Sequence, residues 1–249
     1  MMRFLRTVWR SFLLIGWFLI CALIALPGKF LGKREALRRN LGITRLWARV
    51  AARILNMHIK VIGDPDSFEG GMIVSNHQGY IDILVSASVF ALRFAPKVQI
   101  RSWPFLGWFV SMNFPIWIDR ESRAKSAEVA TELEWTLQEK LSMLVYPEGT
   151  STDGSGLLPF KSTPFEPVVK LQLPVLPILI RYVETPDRYP LAWYGDFSFL
   201  PHVGCLIGRK RIDATMEILP AVRPEPGESR KELANRIHAI MDEALRRSL

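Results

Sequence analysis

The feature that most constrains this chain's fold is an alternation. Short apolar runs, each stopped by turn residues, are separated by segments with helical spacing. Met72–Ser75 is one such run, stopped by Asn76-His77-Gln78-Gly79, and Ser142–Tyr146 is another, stopped by Pro147-Glu148-Gly149. Pro174–Arg181 and Thr215–Leu219 read as strands too, with Phe94–Ile100 and Ile116–Ile118 as further candidates. Ile81–Leu92, Ser122–Lys140 and Pro164–Leu171 read as helices, and Trp103–Phe109 opens another with Pro104 near its start. Ser229-Arg230-Lys231-Glu232 is a capping-box sequence, and Leu233, Ile237, Ile240, Met241 and Leu245 follow it at helical spacing. Strands that alternate with helices predict an α/β fold: a mostly parallel central sheet flanked by helices. Ligands of such sheets gather at the carboxyl ends of the strands, where the Asn76–Gly79 and Pro147–Gly149 turns stand. No internal repeat or low-complexity tract breaks the pattern. The stretches 153–164 and 220–228 read as loops within one domain, and 249 residues suit one such domain with appendages.

The N-terminus is of another kind. Ser11 to Gly28 carries no charge, and eighteen helical residues rise about 27 Å, just short of the hydrocarbon thickness. Arg3, Arg6 and Arg10 precede the run, and Lys29, Lys33, Arg34, Arg38 and Arg39 follow it. With both flanks positive, charge does not orient the segment, and a shallow or re-entrant hairpin stands beside a full span. A cleaved signal peptide is the competing reading, but no small-x-small cleavage site stands out. In residues 33–57, Arg45, Arg49 and Arg53 recur every four residues beside Leu46, Val50 and Ile54. That pattern predicts an amphipathic helix lying among headgroups; the plain alternative is a surface helix packed on the domain. The expected division is 1–58 as membrane anchor and basic helix, and 59–249 as the α/β domain.

Charge supports this division. Residues 1–60 hold twelve Lys/Arg and one acidic residue, whereas the rest holds 20 basic and 23 acidic residues. The net +8 is therefore an N-terminal property. A basic collar around a membrane anchor explains it more simply than a nucleic-acid-binding face, so no nucleic-acid partner is expected. Two cysteines, one in the apolar run, suggest no disulfide framework. His58, His77, His202 and His238 are far apart, so a metal site has no local support. No GxSxG elbow marks a serine hydrolase.

His77 and Asp82 lie five apart, across a turn running into a helix start. Histidine suits proton abstraction near neutral pH, and a carboxylate on its other nitrogen fixes the tautomer. By spacing alone the signal is weak, and a histidine in a structural turn is the better explanation. Glu148 and Gly149 end the second strand of the same kind.

Taken together, the motifs resemble the glycerolipid acyltransferase family, the 1-acylglycerol-3-phosphate acyltransferase group. Its first block, Asn-His-x4-Asp, is matched by Asn76, His77 and Asp82. Ile116-Trp117-Ile118-Asp119-Arg120 matches a strand ending in Asp-Arg, and upstream Lys97, Gln99, Pro104 and Gly107 fall in register, with Gln in place of Glu. Pro147-Glu148-Gly149-Thr150-Ser151 matches a Pro-Glu-Gly-Thr-Arg block without its arginine. Phe160-Lys161-Ser162 is similar to Phe-Lys-x-Gly, and Leu173-Pro174-Val175-Leu176-Pro177 to Val-Pro-x-x-Pro. The resemblance spans residues 60–185. It implies a membrane-bound O-acyltransferase, on the cytoplasmic face of a bacterial inner membrane. Such an enzyme moves an acyl chain from acyl carrier protein or coenzyme A thioester to a lysolipid hydroxyl, with no bound cofactor. It further implies His77 as general base with Asp82 orienting it, and Lys97, Arg120, Glu148, Gly149 and Thr150 at the acceptor. Each has a plain alternative: Lys97 as a solvated strand end, Arg120 as a surface ion pair, Glu148 as a helix N-terminal charge.

The missing arginine points to the acceptor. Arg offers a planar fork matched to phosphate, whereas Ser151 offers one hydroxyl. With Trp193-Tyr194-Gly195-Asp196 downstream, the chain resembles the lyso-ornithine lipid O-acyltransferase branch. A 1-acylglycerol-3-phosphate acyltransferase is the alternative, and a non-catalytic membrane scaffold the lower one.

Overall fold

The structure, a computed structural model, describes residues 1–103, 107, 110–111, 115–118 and 123–247, with the backbone alone at 29 and 123–127. Its strands are β1 (Met57–Ile62), β2 (Met72–Ser75), β3 (Leu92–Phe94), β4 (Ser142–Val145), β5 (Val175–Tyr182) and β6 (Ile212–Ile218). Its longer helices are α1 (Met2–Ala25), α2 (Lys33–Ile54), α3 (Tyr80–Val89), α4 (Arg123–Gln138), α5 (Glu166–Leu171), α6 (Phe199–Ile207) and α7 (Arg230–Arg246). The strands form one sheet in the order β1-β6-β5-β2-β4-β3, parallel throughout except between β5 and β6. The predicted mostly parallel α/β architecture is therefore the one observed.

Strand periodicity sorts side chains onto two apolar layers. Ile73, Leu144, Leu176, Ile178 and Ile180 point to one face, where the alanines of α2 (Ala48, Ala51, Ala52) and Ile81, Leu84 and Val85 of α3 cover them. Met72, Val74, Met143, Val175 and Leu179 point to the other, against Leu133 and Leu137 of α4, Val168 of α5 and Leu233, Ile237 and Met241 of α7. Burying each large aliphatic side chain contributes about 1.5–3 kcal/mol. β2 lies between β5 and β4, is buried on both faces and so is rigidly placed. The capping box of α7 forms as the sequence predicts: Glu232 N donates to Ser229 Oγ, and Ser229 N to Glu232 Oε2.

Several boundaries differ from the sequence reading. The helix expected to run through Leu92 ends at Val89, and β3 takes Leu92–Phe94. Past Phe94 the pairing becomes irregular: Val98–Ser102 is a 3-10 turn, and 94–98 meets 116–118 through an isolated Lys97–Ile118 parallel bridge, with Ile116 N donating to the Phe94 carbonyl, Ile118 N to that of Pro96 and Val98 N to that of Ile118. Asp119, Arg120, Pro104 and most of the aromatic stretch 103–109 lie outside the described residues. β1 and α6 were not anticipated. β1 begins just after Asn56, which takes a left-handed conformation (φ 54°) and stops α2.

α2 packs against the domain through its alanine stripe, leaving Arg38, Arg39, Leu46, Arg49 and Arg53 exposed. α1 is long and apolar enough to cross a membrane, by length and composition. It is also held along its length, by the domain at its start and by α2 further on. Arg3 pairs with Asp187 at 2.7 Å; Arg6 donates to the Gly208 carbonyl, and Arg10 to those of Ile207 and Arg209. The arginines thus satisfy carbonyls at the C-terminus of α6, where cations are favoured. Further on, Trp17 Nε1 donates to the Trp47 carbonyl, and Arg39 to that of Ile24. The opposite face, including Phe4, Val8, Phe12, Ile15, Leu19 and Leu23, is exposed.

Candidate active site

Two turns meet at the carboxyl end of β2. Asn76 first extends the β2–β5 ladder with its side chain: Nδ2 donates to the Ile180 carbonyl at 2.9 Å, and Ile180 N to Oδ1 at 2.8 Å. Gln78 Nε2 reaches the same carbonyl at 2.7 Å, and Gln78 O accepts from Trp193 N. Gly79 is the N-cap of α3 at φ +148°, a conformation that favours glycine, and a Cβ there would sit 2.9 Å from Trp193 N. Asp82 is the third residue of that helix, where a carboxylate can reach back and the helix dipole favours its charge. The five-residue spacing thus follows from a turn plus a first helical turn.

The Asp82 carboxylate is fully buried and fully used. Its Oδ2 accepts from Gln78 N (2.6 Å), Gly79 N (2.9 Å) and His77 Nδ1 (2.9 Å), and its Oδ1 accepts from the Tyr182 hydroxyl (2.7 Å). Burial and the Asp82 charge push the Tyr182 phenol well above its usual range, so it stays protonated and donates. The His77 ring stacks on Tyr146, centroids 4.0 Å apart, and its side chain is 21% exposed. A proton on Nδ1 directed at Asp82 leaves Nε2 as the basic nitrogen.

Glu148 is brought to His77, but not as the sequence reading expected. Its Oε1 accepts from His77 N and its Oε2 from Leu158 N, both at 2.9 Å. Both oxygens are therefore engaged by backbone. Burial raises its pKa; the N–H groups of Leu158 and His77 oppose the shift. Thr152 N donates to the His77 carbonyl at 2.9 Å, so the 147–154 loop clamps the histidine from both sides of its peptide. Gly149 has φ +75°, and Thr150 is exposed beside it. Lys97 is exposed past β3, two strands from β2, and Arg120 lies outside the described residues. His77, Asp82, Glu148 and Gly149 are thus gathered at one place.

Sequence reasoning missed Tyr182 and Tyr146, and gave Asn76 no role. The available signal was position: Tyr182 and Tyr146 end or directly follow the two strands that flank β2. A parallel sheet brings such residues to one end. The arrangement can abstract a proton at His77 Nε2 and stabilise the resulting imidazolium through Asp82.

The family model described as Acyltransferase matches residues 58–181. The lyso-ornithine lipid O-acyltransferase of Rhodobacter capsulatus is 30% identical, over 77% of this chain and 71% of that protein. The enzyme of the same name from Brucella abortus is 27% identical over 95% of both chains. The 1-acyl-sn-glycerol-3-phosphate acyltransferase of Neisseria gonorrhoeae is 26% identical, over 70% of this chain and 68% of that one. Among solved structures, the 1-acyl-sn-glycerophosphate acyltransferase PlsC of Thermotoga maritima superposes with a TM-score of 0.70 at 21% identity, covering 98% of this chain and 94% of that one; it has the same fold. A matched family model that includes the His77 turn and relatives aligned over most of their length lead to one conclusion: this chain is an enzyme of the acyltransferase family.

Proposed function

We propose that the chain transfers an acyl group from an acyl thioester, carried by acyl carrier protein or coenzyme A, to the free hydroxyl of a lysolipid. Lyso-ornithine lipid is the acceptor this reading favours. The observation that carries it is the His77–Asp82 pair, held at 2.9 Å with the carboxylate buried and the ring partly exposed. His77 Nε2 takes the acceptor's hydroxyl proton as its oxygen attacks the thioester carbonyl. The C–O bond forms, the C–S bond breaks, and the proton passes to the departing thiolate. Asp82 holds the tautomer and balances the imidazolium charge. Ser151 in place of the family's arginine supports an acceptor with less demand for a phosphate-binding fork, as does the presence of lyso-ornithine lipid O-acyltransferases among the relatives.

In this reading the reaction takes place at a membrane surface, on the cytoplasmic side where the thioester donors are made. α1 spans about 36 Å. Because residues 187–209 hold its first three arginines and α2, itself packed on the domain, holds Trp17 and Ile24, it cannot cross a bilayer and keep those contacts. It lies along the surface instead, its apolar outer face in lipid and the exposed arginines of α2 among headgroups.

The test offers wild-type protein both lyso-ornithine lipid and 1-acylglycerol-3-phosphate, with each thioester donor. Preferential transfer to the first is expected. Preferential transfer to the second would replace it with the phosphatidate-forming reading, and transfer to neither would overturn the proposal.

A further inference from the structure

A cation with no assigned role lies over the loop that clamps His77. The side chain of Lys161 crosses directly over Gly149: a Cβ on that glycine would lie 2.6 Å from Nζ, 2.9 Å from Cε and 3.2 Å from Cδ. The crossing is held by backbone, since Lys161 N donates to the Pro147 carbonyl at 2.9 Å. Gly149 is thus needed twice, for its left-handed turn and for the room it leaves the lysine stem. Lys161 is exposed, and among the described residues no carboxylate pairs with it. It therefore sets an ammonium with no carboxylate partner among the described residues over the residue that follows Glu148, whose carboxylate bonds His77 N. Two positions further on stands Ser151, where a guanidinium would be expected.

We infer that Lys161 is the acceptor-binding cation of this enzyme, meeting the anionic group of the lysolipid headgroup in place of the absent arginine. The inference rests on the lysolipid reading above. A carboxylate and a phosphate share the chemistry of recognition, an anion held a few bonds from the reacting hydroxyl. A lysine meets either as a point charge, without the bidentate fork that selects phosphate. Lys161 would thus tolerate a carboxylate headgroup that a phosphate-reading arginine site discriminates against.

The experiment compares wild type, Lys161→Met and Lys161→Arg in steady-state acyl transfer to lyso-ornithine lipid and to 1-acylglycerol-3-phosphate. Thermal melting confirms the fold. Methionine keeps much of the stem across Gly149 and removes the charge. Lys161→Met should raise the KM for the acceptor about tenfold, with kcat and the donor KM within about threefold, the pattern of lost ground-state binding. Lys161→Arg should restore most of the loss. An effect on the carboxylate acceptor alone, or on both acceptors, supports the assignment and identifies which anion the lysine meets in turnover. An unchanged acceptor KM in an active Lys161→Met protein overturns the assignment and leaves the lysolipid reading intact. A parallel fall in kcat and melting temperature, with acceptor KM unchanged, gives the lysine a structural role and also overturns it. Failure of wild type to turn over either acceptor overturns the lysolipid reading and this assignment with it.

Discussion

Replacing Glu148 by glutamine separates two roles that the sequence could not. If its carboxylate held the acceptor, Glu148→Gln would weaken acceptor binding and spare the fold. In the structure both oxygens accept backbone N–H groups, from His77 and Leu158. A glutamine amide has one oxygen, so in either orientation its NH2 faces one of those N–H donors. That leaves a buried donor unsatisfied, at about 1–3 kcal/mol, and weakens the other bond from charge-assisted to neutral, at about 1 kcal/mol. Removing a buried charge offsets part of this, since burial already disfavours the ionised form. The net destabilisation should be about 2 kcal/mol, a fall in Tm of roughly 4–8 °C for a chain of this size. Because one of the two bonds positions His77, kcat should fall about 100-fold, the scale of a misplacement near 1 Å. The acceptor KM should change less than about threefold. Differential scanning fluorimetry and steady-state kinetics in detergent read all three quantities. An unchanged Tm and kcat with a raised acceptor KM would refute the positioning role and return Glu148 to the acceptor.

Two further outcomes follow from the geometry. His202 is fully buried, accepting from the Tyr80 hydroxyl at Nδ1 (2.7 Å) and bonding the Ala192 carbonyl through Nε2, and burial lowers its pKa from the usual 6.5. A histidine depressed on folding contributes stability that is complete above the unfolded pKa of about 6.5 and is lost as pH falls through that value toward the folded one. Urea midpoints should therefore drop more for wild type than for His202→Gln between pH 7.5 and 5.5; equal slopes would exclude His202 as the source. On α1, Phe12 is 70% and Leu19 51% exposed. Substituting both by glutamate should cut co-sedimentation with anionic vesicles at least tenfold while leaving the melting temperature within about 2 °C, and undiminished binding would argue against this face being the lipid contact.

How much of the fold was legible depended on which interactions are local. β2, β4 and β5 are apolar runs bounded by turn residues, and the capped helix α7 has its signal within a few residues. β1 was hidden because Met57–Ile62 continues a basic helical segment without an apolar run, and only Asn56 marks the break. α6 was hidden because Pro201 and Gly204 lower helix propensity; tertiary packing of Leu206 and His202 holds it instead. The His77–Asp82 pair was visible because helix geometry brings the third residue of a helix back onto the turn before it. Its supports were not, because Tyr182 comes from 100 residues further on and Glu148 from 71. Nor does sequence say which way a carboxylate faces, so the backbone N–H groups of His77 and Leu158 that Glu148 accepts from could not be read from it.

The most direct test is acyl transfer by His77→Gln beside wild type, with lyso-ornithine lipid as acceptor and a thioester donor, in preparations matched by melting temperature. Glutamine fills the ring's place and can donate to Asp82, but it is no base. The account predicts a fall in kcat of at least about 1,000-fold with the fold retained, since both the base and the charge-balanced imidazolium are lost. Turnover within tenfold of wild type would contradict it, for the acceptor's proton would then be leaving by some route other than His77.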